Sequence, residues 1–174
     1  MLILLTGGSA CGKSTYAEEL ATRLPIKRYY IAAMRPYGEE SLKKIARHRQ
    51  MRSLKSFETI EKYTHVSEID IPEKNSVILL ECLCNLTANE MFDEDGSGAD
   101  GAFDAVISGI KKLMASCDTL IVVTNDVGSD GGSYDAATLE YVKLLGKINE
   151  KTAKLADTVI EMVCGIPLII KGDI

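Results

Sequence analysis

The sequence has no tryptophan, four prolines and only two histidines, His48 and His65. It also lacks a C-x-x-C pair, an excess of positive charge, and any apolar run near the roughly 20 residues that cross a bilayer. Each absence narrows the function. Without C-x-x-C spacing the five cysteines, Cys11, Cys82, Cys84, Cys117 and Cys164, form no zinc or dithiol motif, and their odd number argues for reduced thiols in a cytoplasmic protein. The opening run Met1 to Leu5 is too short for a signal core or a membrane span and reads as a strand. A net charge of −5 opposes general attraction to nucleic acid or to an anionic membrane, so neither partner is expected and any basic site must be local. What remains is ordinary globular chemistry: 174 residues, 46% hydrophobic and 26% charged, suit a single domain over residues 1–174.

Leu2 to Thr6 is continuously apolar and ends at glycines, as expected of a strand buried on both faces of a parallel sheet. A helix is predicted from Lys13, with Tyr16, Ala17, Leu20, Ala21 and Leu24 at helical spacing and Pro25 as the stop. Further strands are predicted at Tyr29 to Ala33, Val77 to Leu80, Leu120 to Val123 and Val159 to Val163. Helical periodicity is clearest from Phe103 to Met114 and from Leu139 to Leu155. Cys164-Gly165-Ile166-Pro167 is turn chemistry between two apolar runs, so Ile166 to Ile170 should close an antiparallel hairpin. The fold class is α/β, a P-loop NTPase-like domain with a mostly parallel sheet flanked by helices. Asp93 to Gly101 and Gly128 to Asp135, rich in Gly, Ser and Asp, are expected to be mobile loops, the second being a candidate substrate loop.

The chemistry starts at Gly7-Gly8-Ser9-Ala10-Cys11-Gly12-Lys13-Ser14, which satisfies G-x-x-x-x-G-K-[ST] between a strand and a helix. Glycines let successive N–H groups close on phosphate oxygens at the positive end of the helix dipole. Lys13 is expected to reach the β and γ phosphates of ATP or GTP, and Ser14 to offer its hydroxyl to Mg²⁺. The magnesium also needs a carboxylate at another strand end, for which Glu81 after Val77 to Leu80 is preferred to Asp126 after Leu120 to Val123. Between Lys43 and Lys55 stand Lys43, Lys44, Arg47, Arg49, Arg52 and Lys55 with no acid, and Leu42, Ile45 and Ala46 give this segment an apolar side. His48 would project from that cationic helix, where positive neighbours favour a neutral, nucleophilic ring; a solvated basic helix with an idle histidine is the alternative. His65 has no such setting and is read as structural.

Taken in order, these residues resemble the bifunctional adenosylcobinamide kinase and adenosylcobinamide-phosphate guanylyltransferase family of cobalamin biosynthesis. The resemblance runs nearly end to end. It is carried by Thr6-Gly7-Gly8 with Gly12-Lys13-Ser14, Tyr30-Ile31-Ala32, Ile45 with His48 and Arg52, Thr59-Ile60-Glu61, and Leu80-Glu81-Cys82-Leu83 with Asn89. It continues in Val123 to Gly128, Gly146 with Asn149, Ala156-Asp157, and Gly165-Ile166-Pro167 with Lys171. The resemblance implies phosphorylation of adenosylcobinamide, then transfer of GMP from GTP to its phosphate through a covalent adduct on His48. It implies nucleotide contacts from Ala33, Met34 and Arg35, from Arg49, Gln50, Met51 and Arg52, and from Glu61 and Glu81, and it implies a homotrimer. The chain departs from the family pattern at Arg47, Phe57 and Asp126, and most from Ser129 to Lys143, where Gly-Ile-Val-Pro and then arginines are the rule. A plain small-molecule kinase and a non-catalytic nucleotide sensor are the alternative readings.

Overall fold

A computed structural model of the chain describes residues 1–52, 55–128 and 134–173, apart from the side chains of residues 40, 41, 44, 47, 48 and 51. The strands are β1 (Leu2–Thr6), β2 (Lys27–Ala32), β3 (Phe57–Glu61), β4 (Ser76–Glu81), β5 (Thr119–Val123), β6 (Thr158–Val163) and β7 (Ile166–Lys171). The helices are α1 (Lys13–Arg23), α2 (Gly38–Arg52), α3 (Leu83–Phe92), α4 (Gly98–Ser116) and α5 (Ala136–Leu155), with a short 3-10 turn at Val66–Glu68.

One seven-stranded sheet runs in the order β3-β2-β4-β5-β1-β6-β7. All its neighbours are parallel except β6 and β7, which form the expected closing hairpin. The apolar runs are continuous because both faces are covered. Leu2, Leu4, Ile31, Ile78, Leu80, Leu120 and Val122 pack on one face against Leu83 and Leu86 of α3, Val106, Ile110 and Leu113 of α4, and Ile148 of α5. Ile3, Leu5, Val77, Leu79, Ile121 and Val123, one residue out of step, pack on the other against Ala17, Leu20 and Ala21 of α1. The register sets Ala32 beside Glu61 and Glu81, and Glu81 beside Val123. Four carboxyl ends therefore reach the same edge, next to the loop that follows β1.

Residues outside the motifs fasten this frame. The Asp157 carboxylate accepts the Leu2 N–H at 2.7 Å and so fixes the start of β1. Lys171 donates to the Ala153, Lys154 and Ala156 carbonyls at 3.1, 3.2 and 2.5 Å, satisfying the open end of α5.

Two elements were absent from the sequence reading. β3 is a short edge strand with no fully buried residue, and α3 buries residues around most of its circumference, including Thr87, Asn89 and Glu90, so it shows no apolar stripe. The buried polar residues of α3 have partners: the Thr87 hydroxyl donates to the Leu83 carbonyl at 2.8 Å, the Asn89 amide donates to the Ala33 and Tyr63 carbonyls at 2.8 and 2.9 Å, and Glu90 accepts the His65 N–H at 2.5 Å and the Ser97 hydroxyl at 2.9 Å. One expectation needs correcting. Of the stretch Asp93 to Gly101, the last four residues form the first turn of α4, because Glu90 captures both the N–H and the hydroxyl of Ser97 just before it. The apolar side of α2 does not join the core: Leu42 is 52% exposed, and both Leu42 and Ile45 face a cavity. Residues 129–133 of the candidate substrate loop lie outside the described residues, while Asp135 caps α5 by accepting the Thr138 N–H at 2.7 Å.

Gly109 of α4 lets the helix lie against the 3-10 turn, since a Cβ there would collide with the Val66 side chain. Gly109→Ala is expected to cost about 1–3 kcal/mol by overpacking, read as a lower urea midpoint at unchanged slope. An unchanged midpoint would show that Val66 yields freely.

Candidate active site

The loop after β1 turns on left-handed residues: Gly7 at φ 137°, Ala10 at φ 57° and Gly12 at φ 98°. A Cβ on Gly7 would sit 2.5 Å from the Met162 carbonyl oxygen, so glycine is required there for space as well as for conformation. Gly12 is the N-cap of α1 and supplies no side-chain cap, which leaves the first-turn N–H groups directed at the space the loop encloses. Lys13 is 6% exposed, and its ammonium donates to the Gly7 and Gly8 carbonyls at 2.8 and 2.5 Å, with the Cys11 sulfur at 3.6 Å. The ammonium thus lies at the floor of the loop.

A cavity of about 510 Å³ opens above it. One wall is Ser9 to Thr15; the strand-end residues Ala32, Glu61, Glu81 and Val123 supply another. Met34, Pro36, Leu42 and Ile45 make an apolar side, while Arg49 and Arg52 of α2 bring positive charge. The volume is in the range of small-ligand sites, and the lining divides into a cationic, N–H-rich end and an apolar slot.

Glu81 joins the parts of the site. Its Oε1 accepts a hydrogen bond from the Ser14 hydroxyl, and its Oε2 accepts one from the Tyr30 hydroxyl at 2.8 Å. Burial, followed by the Glu81 charge, pushes the Tyr30 phenol well above its ordinary range, so Tyr30 stays a donor. The Arg52 guanidinium stacks on the Tyr30 ring at 3.4 Å from the centroid. It is 6% exposed, and its Nε and Nη1 lack a hydrogen-bond partner among the described residues. A buried cation with open donors suits an anionic ligand.

Arg49 pairs with Glu61, which also accepts the Tyr63 hydroxyl at 3.0 Å. Arg49 first and Tyr63 second hold the Glu61 carboxyl below its usual range. The pair is largely exposed and so contributes little to stability.

Of the sequence-predicted residues, Ser9 to Ser14, Met34, Arg49, Arg52, Glu61 and Glu81 meet at the cavity. Gly7 and Gly8 shape its floor through their carbonyls. Ala33 is buried with its N–H on the Glu81 carbonyl at 3.1 Å. Arg35 turns aside: it binds Asp93 at 2.6 Å and Asp95 at 2.5 Å, and lies 5.0 Å from the Tyr63 ring centre. Gln50 follows Arg49 on α2 outside the lining, and the side chains of His48 and Met51 lie outside the described residues. Asp126, the second carboxylate candidate, is exposed, and its neighbour Asn125 lines the cavity instead. Tyr30, Asn85 and Asn125 were missed as site residues. A buried tyrosine on β2 requires a partner for its hydroxyl, and that need was the available signal for Tyr30.

Comparison with known proteins bears on the same residues. Residues 3–170 match the family model described as cobinamide kinase / cobinamide phosphate guanyltransferase. The bifunctional adenosylcobalamin biosynthesis protein CobU of Escherichia coli K12 is 32% identical over 98% of this chain and 100% of its own. The corresponding CobP of Pseudomonas aeruginosa is 26% identical over 98% and 97%. Among solved structures, a KaiC-like protein of Pyrococcus horikoshii covers 98% of this chain and 79% of its own at a TM-score of 0.51 and 13% identity. An ATPase of a bacterial type III secretion system covers 93% and 52% at a TM-score of 0.54 and 14% identity. These structural likenesses support the P-loop NTPase-like fold, and the sequence matches go further: the chain belongs to the cobinamide kinase / cobinamide phosphate guanyltransferase family.

Proposed function

We infer that this protein is a two-step transferase of cobalamin biosynthesis, which phosphorylates the hydroxyl of adenosylcobinamide and then transfers GMP from GTP to the resulting phosphate. The observation that carries this reading is the meeting, at one cavity, of the Gly7 to Ser14 loop, the Glu81 carboxylate and the arginine-bearing face of α2. It rests also on the kinase and guanyltransferase activities for which the family is named and on its bifunctional relatives in adenosylcobalamin biosynthesis.

In the kinase step, the loop N–H groups and Lys13 would hold the phosphates of ATP or GTP, and the apolar slot of Met34, Pro36, Leu42 and Ile45 would take the base. Ser14 and Glu81 present hard oxygen donors side by side, which fits Mg²⁺; bound there, the ion would neutralise charge on the β and γ phosphates. Among the described residues no group of three His, Cys, Asp or Glu side chains could hold a metal, so Ser14 and Glu81 would hold the ion together with the nucleotide's own phosphate oxygens. Tyr30, donating to Glu81, would hold that carboxylate in place.

In the guanylyl step His48 would act from α2, three residues after Ile45 and four before Arg52, both of which line the cavity. Attack of the His48 ring nitrogen on the α-phosphorus would break its bond to the bridging oxygen and release pyrophosphate, leaving a phosphoramidate. The phosphate of the acceptor would then displace the histidine. Arg52, buried and with two nitrogens unpaired, would neutralise the charge that builds on the transferred phosphoryl oxygens.

The family resemblance also supports a homotrimer, and β7, the last strand of the sheet, offers a surface for self-association. All six of its residues are exposed, with Ile166 and Ile170 each at 61%, an apolar edge that soluble proteins normally cover.

Two measurements test these readings. Incubation with GTP labelled at the α-phosphate should give an acid-labile protein adduct in the parent and none in His48→Ala. Equal labelling of both would remove the covalent role, and γ-transfer alone would indicate a plain kinase. Light scattering should show a trimer that Ile166→Lys with Ile170→Lys converts to smaller species; an unchanged mass would place the interface elsewhere.

A further inference from the structure

Binding of a nucleotide leaves one edge of the cavity without a task. The Gly7 to Ser14 loop takes the phosphates, and α2 brings Arg49 and Arg52 over them. Arg52 stacks on Tyr30, whose ring lies on the sheet face that α1 covers. The remaining edge belongs to the opposite face, which α3 covers. There Asn85, in the first turn of α3, and Asn125, two residues beyond the end of β5, both line the cavity. Both are half-buried, and each offers a neutral carboxamide where α2 offers a guanidinium.

Hydrogen bonds among three elements hold this edge. The Cys84 sulfur accepts the Asn125 N–H at 3.2 Å and lies 3.7 Å from the Thr124 hydroxyl. That hydroxyl donates to the side-chain oxygen of Asn149 in α5 at 2.8 Å, and the Tyr141 hydroxyl of α5 donates to the Cys84 carbonyl at 3.1 Å. Cys84 and Thr124 are buried, at 6% and 1% exposure. The start of α3, the chain beyond β5 and the body of α5 are thereby fixed to one another. Asn125 adjoins Cys84, so Asn85 is its near neighbour, and the two carboxamides share a rigid mount beside Glu81.

We propose that Asn85 and Asn125 bind the acceptor of the phosphoryl step, a neutral alcohol on an amide-bearing arm, an inference that rests on the transferase reading and deepens it. A carboxamide donates through nitrogen and accepts through oxygen, so a pair of them can hold a hydroxyl or a matching amide without any charge. Charge sorts the two substrates: the phosphates gain from Lys13 and the arginines, whereas a neutral arm gains nothing there and is held by the asparagines. An acid in their place would repel the triphosphate, and a lysine would bind phosphate itself. In the step so arranged, the alcohol oxygen attacks the γ-phosphorus, and the bond from that phosphorus to the β–γ bridging oxygen breaks. The nucleoside diphosphate leaves with the electron pair, and the hydroxyl proton passes to water.

The experiment compares the full chain with Asn85→Ala and Asn125→Ala in steady-state phosphorylation of adenosylcobinamide, using the better donor of magnesium ATP and magnesium GTP. Calorimetry measures the affinity of each protein for that nucleotide. Each variant should raise KM for adenosylcobinamide about tenfold, the scale of one lost hydrogen bond, with nucleotide affinity unchanged. Asn85→Ala puts a better helix former into α3, so this variant keeps its fold, and the nucleotide titration checks the phosphate loop in both. An unchanged KM in both variants overturns the acceptor site. A fall in nucleotide affinity that matches the rise in KM in both also overturns it, because the asparagines would then hold the nucleotide. A parent protein that binds nucleotide but neither phosphorylates nor binds adenosylcobinamide contradicts the transferase reading itself, and the acceptor site falls with it.

Discussion

The Glu81 carboxylate, gripped by the Ser14 hydroxyl on one oxygen and the Tyr30 hydroxyl on the other, is the contact on which the rest of the site depends. It ties the first turn of α1 to the ends of β2 and β4 at 9% exposure. A charge so placed must keep its donors, because removing one partner of a buried charged hydrogen bond costs about 1.5–3 kcal/mol or more. The parallel register makes the contact possible, since Ala32 and Glu81 lie side by side where two strands end. Open α/β sheets gather ligand chemistry at that edge for this reason.

Charge is distributed by the same logic. The protein is acidic overall at −5, but α2 lays Arg49 and Arg52 over the cavity, and Lys13 lies beneath it. Each cation answers to a different group: Lys13 to loop carbonyls, Arg49 to Glu61, Arg52 to the Tyr30 ring. Arg52 alone among these three is both buried and left with unpaired donors, which makes it the natural counter-charge for a bound phosphate. Arg35 illustrates the opposite case, because Asp93 and Asp95 already neutralise it at the α3–α4 turn.

How much was legible in the sequence follows from how local each signal is. The phosphate loop, α1 and the buried strands were readable because Gly7, Gly12, Lys13 and the apolar runs obey short-range rules. Glu81 was readable because it ends its strand. The role of Tyr30 and the turning aside of Arg35 were not, since each depends on residues 51 and 60 positions away in the chain. Helix α3 was hidden because its buried polar residues find partners only in the folded state. Asn125 was passed over for Asp126, although the turn after β5 brings Asn125 and not the acid to the cavity.

The central claim is that the Gly7 to Ser14 loop, with Lys13 at its floor and Glu81 beside it, grips a nucleoside triphosphate. Calorimetric titration with magnesium ATP and magnesium GTP tests it most directly. Saturable heat from the parent protein, with affinity reduced at least about tenfold in Lys13→Ala, is the predicted result. No heat from the parent, or equal affinity in both proteins, would contradict it.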